Sequence, residues 1–289
     1  MLRRFKAFYR LRPALRPAGL FVTHVDTPRV RAHFNRLCRE TAGFIDWHFL
    51  YNDGNRPAPR WDVKTRSPED MMPARFRQMV KNEGIMNGHQ DPLIIPCVLA
   101  LGRRYVWVME YDVDFAGPWG DFFGLYRDDQ TDLLTTTLTT PTIEPDWHHW
   151  STARYPADLR PAQMRRDFHP IMRLSRRFAE TYCAAMCDDS WGGHWEFLFA
   201  TVAEYHGLSV RDLQYGGARH GIGPTYTNTP NDLRLLPGTF VWRPFRDAYF
   251  HEKPDDFAEI GRLYHPIKTD DPGWDQAFNV RRATAQGNA

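Results

Sequence analysis

Tyr105-Val-Trp-Val-Met-Glu-Tyr-Asp-Val-Asp114 is the stretch whose reading decides the fold. Extended, it places Val106, Val108, Glu110, Asp112 and Asp114 on one side and Tyr105, Trp107, Met109, Tyr111 and Val113 on the other. The first side passes from apolar to acidic. Aspartate is depleted in strands, and so long an apolar run argues against exposure. Three carboxylates at alternate positions repel one another unless a cation or a set of donors compensates them. In an open α/β sheet the carboxyl ends of the strands are also where ligands bind. A hard divalent ion, Mg²⁺ or Mn²⁺, shared with phosphate oxygens resolves the repulsion; the alternative is a solvated strand end.

Upstream, Gly19-Leu-Phe-Val-Thr-His24 predicts a buried strand, and Asp26-Thr-Pro28 a helix start. Val30, Phe34, Leu37 and Cys38 mark one apolar helix face, and Gly43 stops it. Phe44 to Tyr51 is a second strand closed by the turn Asn52-Asp-Gly54. Strand, helix, strand is a βαβ unit and predicts a parallel sheet with helices on its faces. Residues 55–90 read as a polar surface excursion, with a short helix expected near Ala74 to Val80, and Pro92 to Leu101 is a compact apolar segment. Downstream, Asp132 to Thr139 reads as a strand, and Arg165 to Cys187 and Glu196 to His206 as helices. The organisation expected is a basic extension over 1–17, one domain over 18–282 with halves 18–140 and 141–282, and a loose tail over 283–289.

Composition narrows the classes. Hydrophobic residues at 42% and charged residues at 25% exclude disordered, collagen-like and membrane-spanning chains among 289-residue candidates. An aromatic share of 14% suits a cleft that stacks flat rings or a core of large side chains. A net charge of +2 gives no reason to expect nucleic acid. Arg3, Arg4, Lys6, Arg10, Arg12 and Arg16, interleaved with Phe5, Phe8 and Tyr9, fit peripheral contact with an anionic membrane surface or a solvated terminus. With no signal-peptide h-region and no run of 18 apolar residues, a cytoplasmic protein is expected, possible contact with the inner membrane face apart. Cys38, Cys97, Cys183 and Cys187 give no disulfide framework, and the last two read as small buried residues on one helix face. P-loop, G-x-G-x-x-G, G-x-S-x-G and H-E-x-x-H motifs are missing, which removes NTPase, dinucleotide oxidoreductase, serine hydrolase and zincin readings.

Glu110-Tyr-Asp112-Val-Asp114, after an N-terminal βαβ unit, resembles the Asp-x-Asp motif of GT-A fold glycosyltransferases. Phe115-Ala-Gly117-Pro-Trp119-Gly-Asp-Phe122-Phe123 continues it like a microbial glycosyltransferase-like group. Gly192-Gly-His-Trp-Glu196 is similar to the helix start that carries an acceptor-side carboxylate, and Tyr264-His265-Pro-Ile-Lys268 to a late metal- or phosphate-binding His segment. The resemblance spans roughly residues 18 to 270. It implies a GT-A-like, Rossmann-like three-layer α/β/α sandwich with a mostly parallel sheet, and metal-dependent sugar transfer from a nucleoside diphosphate donor to a saccharide or glycoconjugate acceptor.

On that resemblance Asp114 is the direct metal ligand, Asp112 meets the ribose or metal-bound water, and Glu110 orients its neighbours. His265 donates to the metal, Lys268 meets the diphosphate, and Arg262 is a reserve phosphate clamp. Glu196 is either the base that activates the acceptor or a first-turn Glu serving the helix dipole. His24 and Asp26 contact base and ribose, unless Asp26 only caps its helix. Asp146-Trp-His-His-Trp150 reads as an aromatic acceptor loop or a packed one, and Arg173, Arg176 and Arg177 as an acidic-acceptor grip or a solvated helix face. Two rivals remain: a glycoside hydrolase pairing Glu110 with Glu196, and a non-catalytic carbohydrate-binding protein.

Overall fold

The computed structural model describes residues 16–52, 60–61, 73–74, 90–221, 223–227, 240 and 260–267. The basic segment before Arg16, nearly all of the helix expected over Ala74 to Val80, Lys268 and the tail from 283 lie outside the described residues. In chain order the elements are β1 (Ala18–Thr23), α1 (Pro28–Glu40), β2 (Asp46–Tyr51), β3 (Arg60–Trp61), α2 (Asp91–Leu101), β4 (Tyr105–Glu110), β5 (Asp114–Phe115) and α3 (Trp119–Gly124). There follow β6 (Leu133–Thr139), β7 (Arg166–Ser175), α4 (Arg176–Ala185), α5 (Trp195–Tyr205), β8 (Val210–Asp212) and β9 (Leu263–Tyr264).

Seven strands form one sheet in the order β3-β2-β1-β4-β7-β6-β8. β1 is parallel to β2 and β4, and β6 to β8, whereas β7 is antiparallel to both its neighbours and β3 to β2. Five strands therefore share one direction, and helices cover both faces, a Rossmann-like α/β arrangement. From β1 the chain moves outward to β2 and then returns to β4 on the other side, so the order reverses between β1 and β4. In open α/β sheets such a reversal is where ligands bind, outside the carboxyl ends of the strands.

Local chemistry explains the helices. Thr27, not Asp26, caps α1: its hydroxyl accepts from Val30 N–H at 3.3 Å, with Pro28 at the first helical position. Val30 and Leu37 then face a layer shared with Phe21, Trp107, Trp119, Phe122 and Phe123. Trp119 is wholly buried, with Phe123 stacked on it at 5.5 Å between ring centroids, so this dense aromatic segment builds core rather than a ligand cleft. On the other face lie α2, α4 and α5. α2 is apolar nearly all round, with Leu93, Ile94, Ile95, Cys97 and Val98 buried, as expected of a helix enclosed by others.

Two expectations need correction. β4 stops at Glu110, and Tyr111-Asp112 turns the chain, with Tyr111 N–H donating to Val22 O at 3.0 Å and Val113 N–H to Glu110 O at 3.3 Å. The acids therefore do not share one strand face; the turn carries Asp114 into the separate β5. Likewise, the helix expected from Arg165 to Cys187 is a ten-residue strand followed by α4. Ser175 divides them by capping α4, its Oγ accepting from Phe178 N–H at 2.9 Å. Arg173 consequently sits in β7, apart from Arg176 and Arg177, and Cys187 is exposed beyond the end of α4.

His33, on α1, is half-buried with Nε2 3.0 Å from Val113 O, and loss of hydration there pushes its imidazole pKa below the ordinary value. In this case the unfolded chain takes up a proton more readily than the folded one, so stability rises with pH through the range up to the unfolded value and is lost as the pH falls below it. His33→Gln is expected to flatten the acid limb of a urea-midpoint profile below about pH 6.5. An unchanged slope would refute this assignment.

Candidate functional site

The carboxyl end of β4 supplies Glu110 and, one turn onward, Asp112. The small antiparallel pair β5–β9, with Asp114 opposite Tyr264 and Phe115 opposite Leu263, brings the late segment alongside. Ile267 N–H donates to Asp112 O at 2.7 Å, which clamps the acidic turn to the chain around His265. His265 Nε2 lies 3.8 Å from Glu110 Oε2 and 3.8 Å from Asp112 Oδ2. One ligand atom from each of the three residues lies within 4.8 Å of the others. Asp112 and His265 are buried, at 3% and 7% exposure, whereas Glu110 is half-buried and accepts from Gln90 Nε2 at 3.2 Å. Phe168 and Phe240 pack on the imidazole, each with its ring centroid 5.3 Å away.

Two carboxylates and an imidazole are a donor set for a divalent cation. Carboxylates suit Mg²⁺ and Mn²⁺, and the ring nitrogen tilts the preference toward the softer Mn²⁺. Removing part of their hydration at a buried position favours a partner of opposite charge.

Asp114 is not brought to this group. Arg36 Nη1 donates to both its oxygens, at 2.8 and 3.0 Å, and Arg36 Nη2 donates to the carbonyls of Phe115 and Gly117 at 3.1 and 3.2 Å. Asp114 thus fastens the loop after the acidic turn onto α1. His24 and Asp26 follow the carboxyl end of β1: the His24 ring meets Tyr111 edge-on at 5.1 Å, and Asp26 receives two bonds from Arg31, at 2.6 and 2.9 Å. Arg262 bonds the Pro224 carbonyl, on the far side of β9 in sequence from His265.

No family model matches the chain, and no curated protein matches it.

A second group of buried charges lies at the same edge of the sheet, because β7 is reversed and its first residues stand beside the carboxyl ends of its neighbours. Glu196, in the first turn of α5, accepts from Arg166 Nε at 3.2 Å, and Arg166 Nη1 also donates to Glu144 at 2.6 Å. Burial pushes the Glu196 carboxyl above the usual carboxylate range, with Arg166 and His169 opposing it. Desolvation therefore outweighs the charged form's preference for a helix start. Asp167 Oδ2 lies 2.8 Å from His169 Nε2 in the same wholly buried region. The Asp146–Trp150 loop closes over this group: His149 stacks on the α5 cap His194 at 4.1 Å, and the Arg166 guanidinium lies 5.1 Å from the Trp147 ring centroid.

Sequence reasoning missed Arg166, Glu144, Asp167 and His169. Their signal was the polar content of Arg166-Asp-Phe-His169, which looks solvated until both faces of β7 are seen to be covered.

Proposed function

We propose that the chain is a metal-dependent glycosyltransferase of GT-A type that moves a sugar from a nucleoside diphosphate to a saccharide or glycoconjugate. The observation that carries the reading is the Glu110–Asp112–His265 cluster at the carboxyl end of β4, beside the point where strand order reverses. In this reading Glu110 and Asp112 hold the cation with His265, in place of the role expected for Asp114. A bound Mn²⁺ or Mg²⁺ supplies Lewis-acid stabilisation of the departing diphosphate.

The chain's own groups do the rest. His24 and Asp26, at the carboxyl end of β1, are the groups that would meet base and ribose. Glu196 takes the proton of the attacking acceptor hydroxyl. Its raised pKa makes it a stronger base than a solvated carboxylate, and the Arg166 bond fixes its direction. The stacked pair His149–His194 beside it, packed on the buried Trp147, offers partly exposed rings against which a saccharide can lie.

Titrating a nucleoside diphosphate in the presence of Mn²⁺ and in EDTA tests the reading; equal affinity in both sinks it. Glu196→Gln keeps the shape and removes the base. It is expected to lower turnover by at least about 100-fold while leaving donor affinity unchanged. Near-normal turnover would take Glu196 out of the base role.

A further inference from the structure

The opposite end of the sheet carries a separate cleft, where β4 begins and β7 ends. A cavity of about 450 Å³ there is lined by Arg104, Tyr105, Asp132, Ser175, Arg176 and Arg177 among others. Since β4 runs from Tyr105 to Glu110, the cleft and the acidic cluster stand at its two ends, roughly 17 Å apart along the strand.

Charge in the cleft is unbalanced. Its lining holds three guanidinium groups and one carboxylate. That carboxylate is committed: Asp132 Oδ1 accepts from Ser175 Oγ at 2.9 Å, and Oδ2 from Ser209 N at 3.1 Å, Ser209 Oγ at 2.9 Å and Arg177 Nη2 at 3.1 Å. Arg104 donates to an uncharged partner, Gln130 Oε1, at 2.7 Å. Among the described residues the Arg176 side chain bonds only the exposed Glu180 on its own helix, at 2.7 Å. An exposed pair of that kind contributes little and is readily exchanged for a better acceptor. The same edge adds Arg16 and Arg103, which both approach Asp46 at 3.4 Å. The three planar forks that line a concavity of this size, Arg104, Arg176 and Arg177, match the oxygens of a phosphate group, which accept paired N–H bonds.

We propose that this cleft binds a phosphate ester, with Arg104 and Arg176 gripping its oxygens and Arg177 held in reserve on Asp132. Such a group reaches it on a free sugar phosphate or on the headgroup of an anionic lipid. Two arms separate these sources, both in EDTA so that the acidic cluster carries no cation. Glucose 6-phosphate is titrated by calorimetry, and flotation is measured with phosphatidylglycerol vesicles against phosphatidylcholine vesicles.

Arg104→Gln/Arg176→Gln is expected to weaken binding at least about tenfold in the arm where it occurs, and Asp112→Asn to leave it unchanged. Arg176→Gln alone, whose partner is an exposed side chain, gives a smaller loss in the same direction and guards against a folding defect in the double variant. Absence of saturable binding in both arms, below about 10 mM for the sugar phosphate, overturns the proposal. So does binding that the double variant retains in full, or that Asp112→Asn removes.

Discussion

Asp112→Asn is expected to weaken Mn²⁺-dependent binding of a nucleoside diphosphate by at least about 100-fold, because loss of even a supporting group around a metal costs 10–100-fold. Asp112 is almost fully buried, its Oδ2 is 3.8 Å from His265 Nε2, and the Ile267 backbone holds its turn in place. An amide fills the same volume but contributes neither the charge nor a strong donor oxygen. Because the substitution removes one of two neighbouring carboxylates, repulsion in the metal-free protein falls, and the melting temperature in EDTA should not drop. In the wild-type protein Mn²⁺ should raise that temperature by mass action, and in the variant it should not. Identical Mn²⁺ responses from both proteins would remove Asp112 from any cation site.

Arg173→Leu is expected to cost about 3–5 kcal/mol of stability without touching the acidic cluster. Arg173 lies on β7 at 3% exposure, and its guanidinium donates to Tyr126 O at 2.9 Å, Asp129 O at 2.9 Å, Thr131 O at 3.3 Å and Asp129 Oδ1 at 3.3 Å. It also sits 4.4 Å over the Tyr105 ring. Burial pulls its pKa down to about 10, so it is still charged at neutral pH. Leucine leaves three carbonyls and a buried carboxylate without that donor, and each such group carries its full desolvation penalty. Urea unfolding measures the loss, with the exposed Arg176→Gln as the reference expected within about 0.5 kcal/mol of wild type. A change for Arg173→Leu as small as the reference would show that the arginine is dispensable.

The two arginines also show where the sequence could be read and where it could not. The βαβ start was legible because Val30, Leu37 and the Gly19–Thr23 run carry clean periodicities, and a sheet with helices on both faces followed. β7 was not, because Arg166, Asp167, His169 and Arg173 are all buried, so no alternation of apolar and polar marks it as a strand. The charges of Arg166 and Arg173 are met by partners far away in sequence, Glu196, Glu144 and Asp129, whereas Asp167 and His169 face each other. At the site, Asp112 and His265 were legible as residue types. Their exact companion was not: period-two spacing carries Asp114 onto the Glu110 face, and only the turn at Tyr111-Asp112, with Arg36 waiting on α1, separates them. The raised pKa of Glu196 was equally hidden, since burial is decided by what α5 packs against.

His265 enters the cluster from more than half the chain's length after Asp112, carried in by a two-residue strand. While the polypeptide is being made, the acidic turn therefore leaves the ribosome long before the imidazole exists. A nascent chain that has reached only α5 has its main helices and most of its sheet, yet lacks the nitrogen donor and the backbone clamp on Asp112. On the proposed reading a cation could therefore be held by all three groups only after the chain has been made past His265, and products ended before it would lack the imidazole.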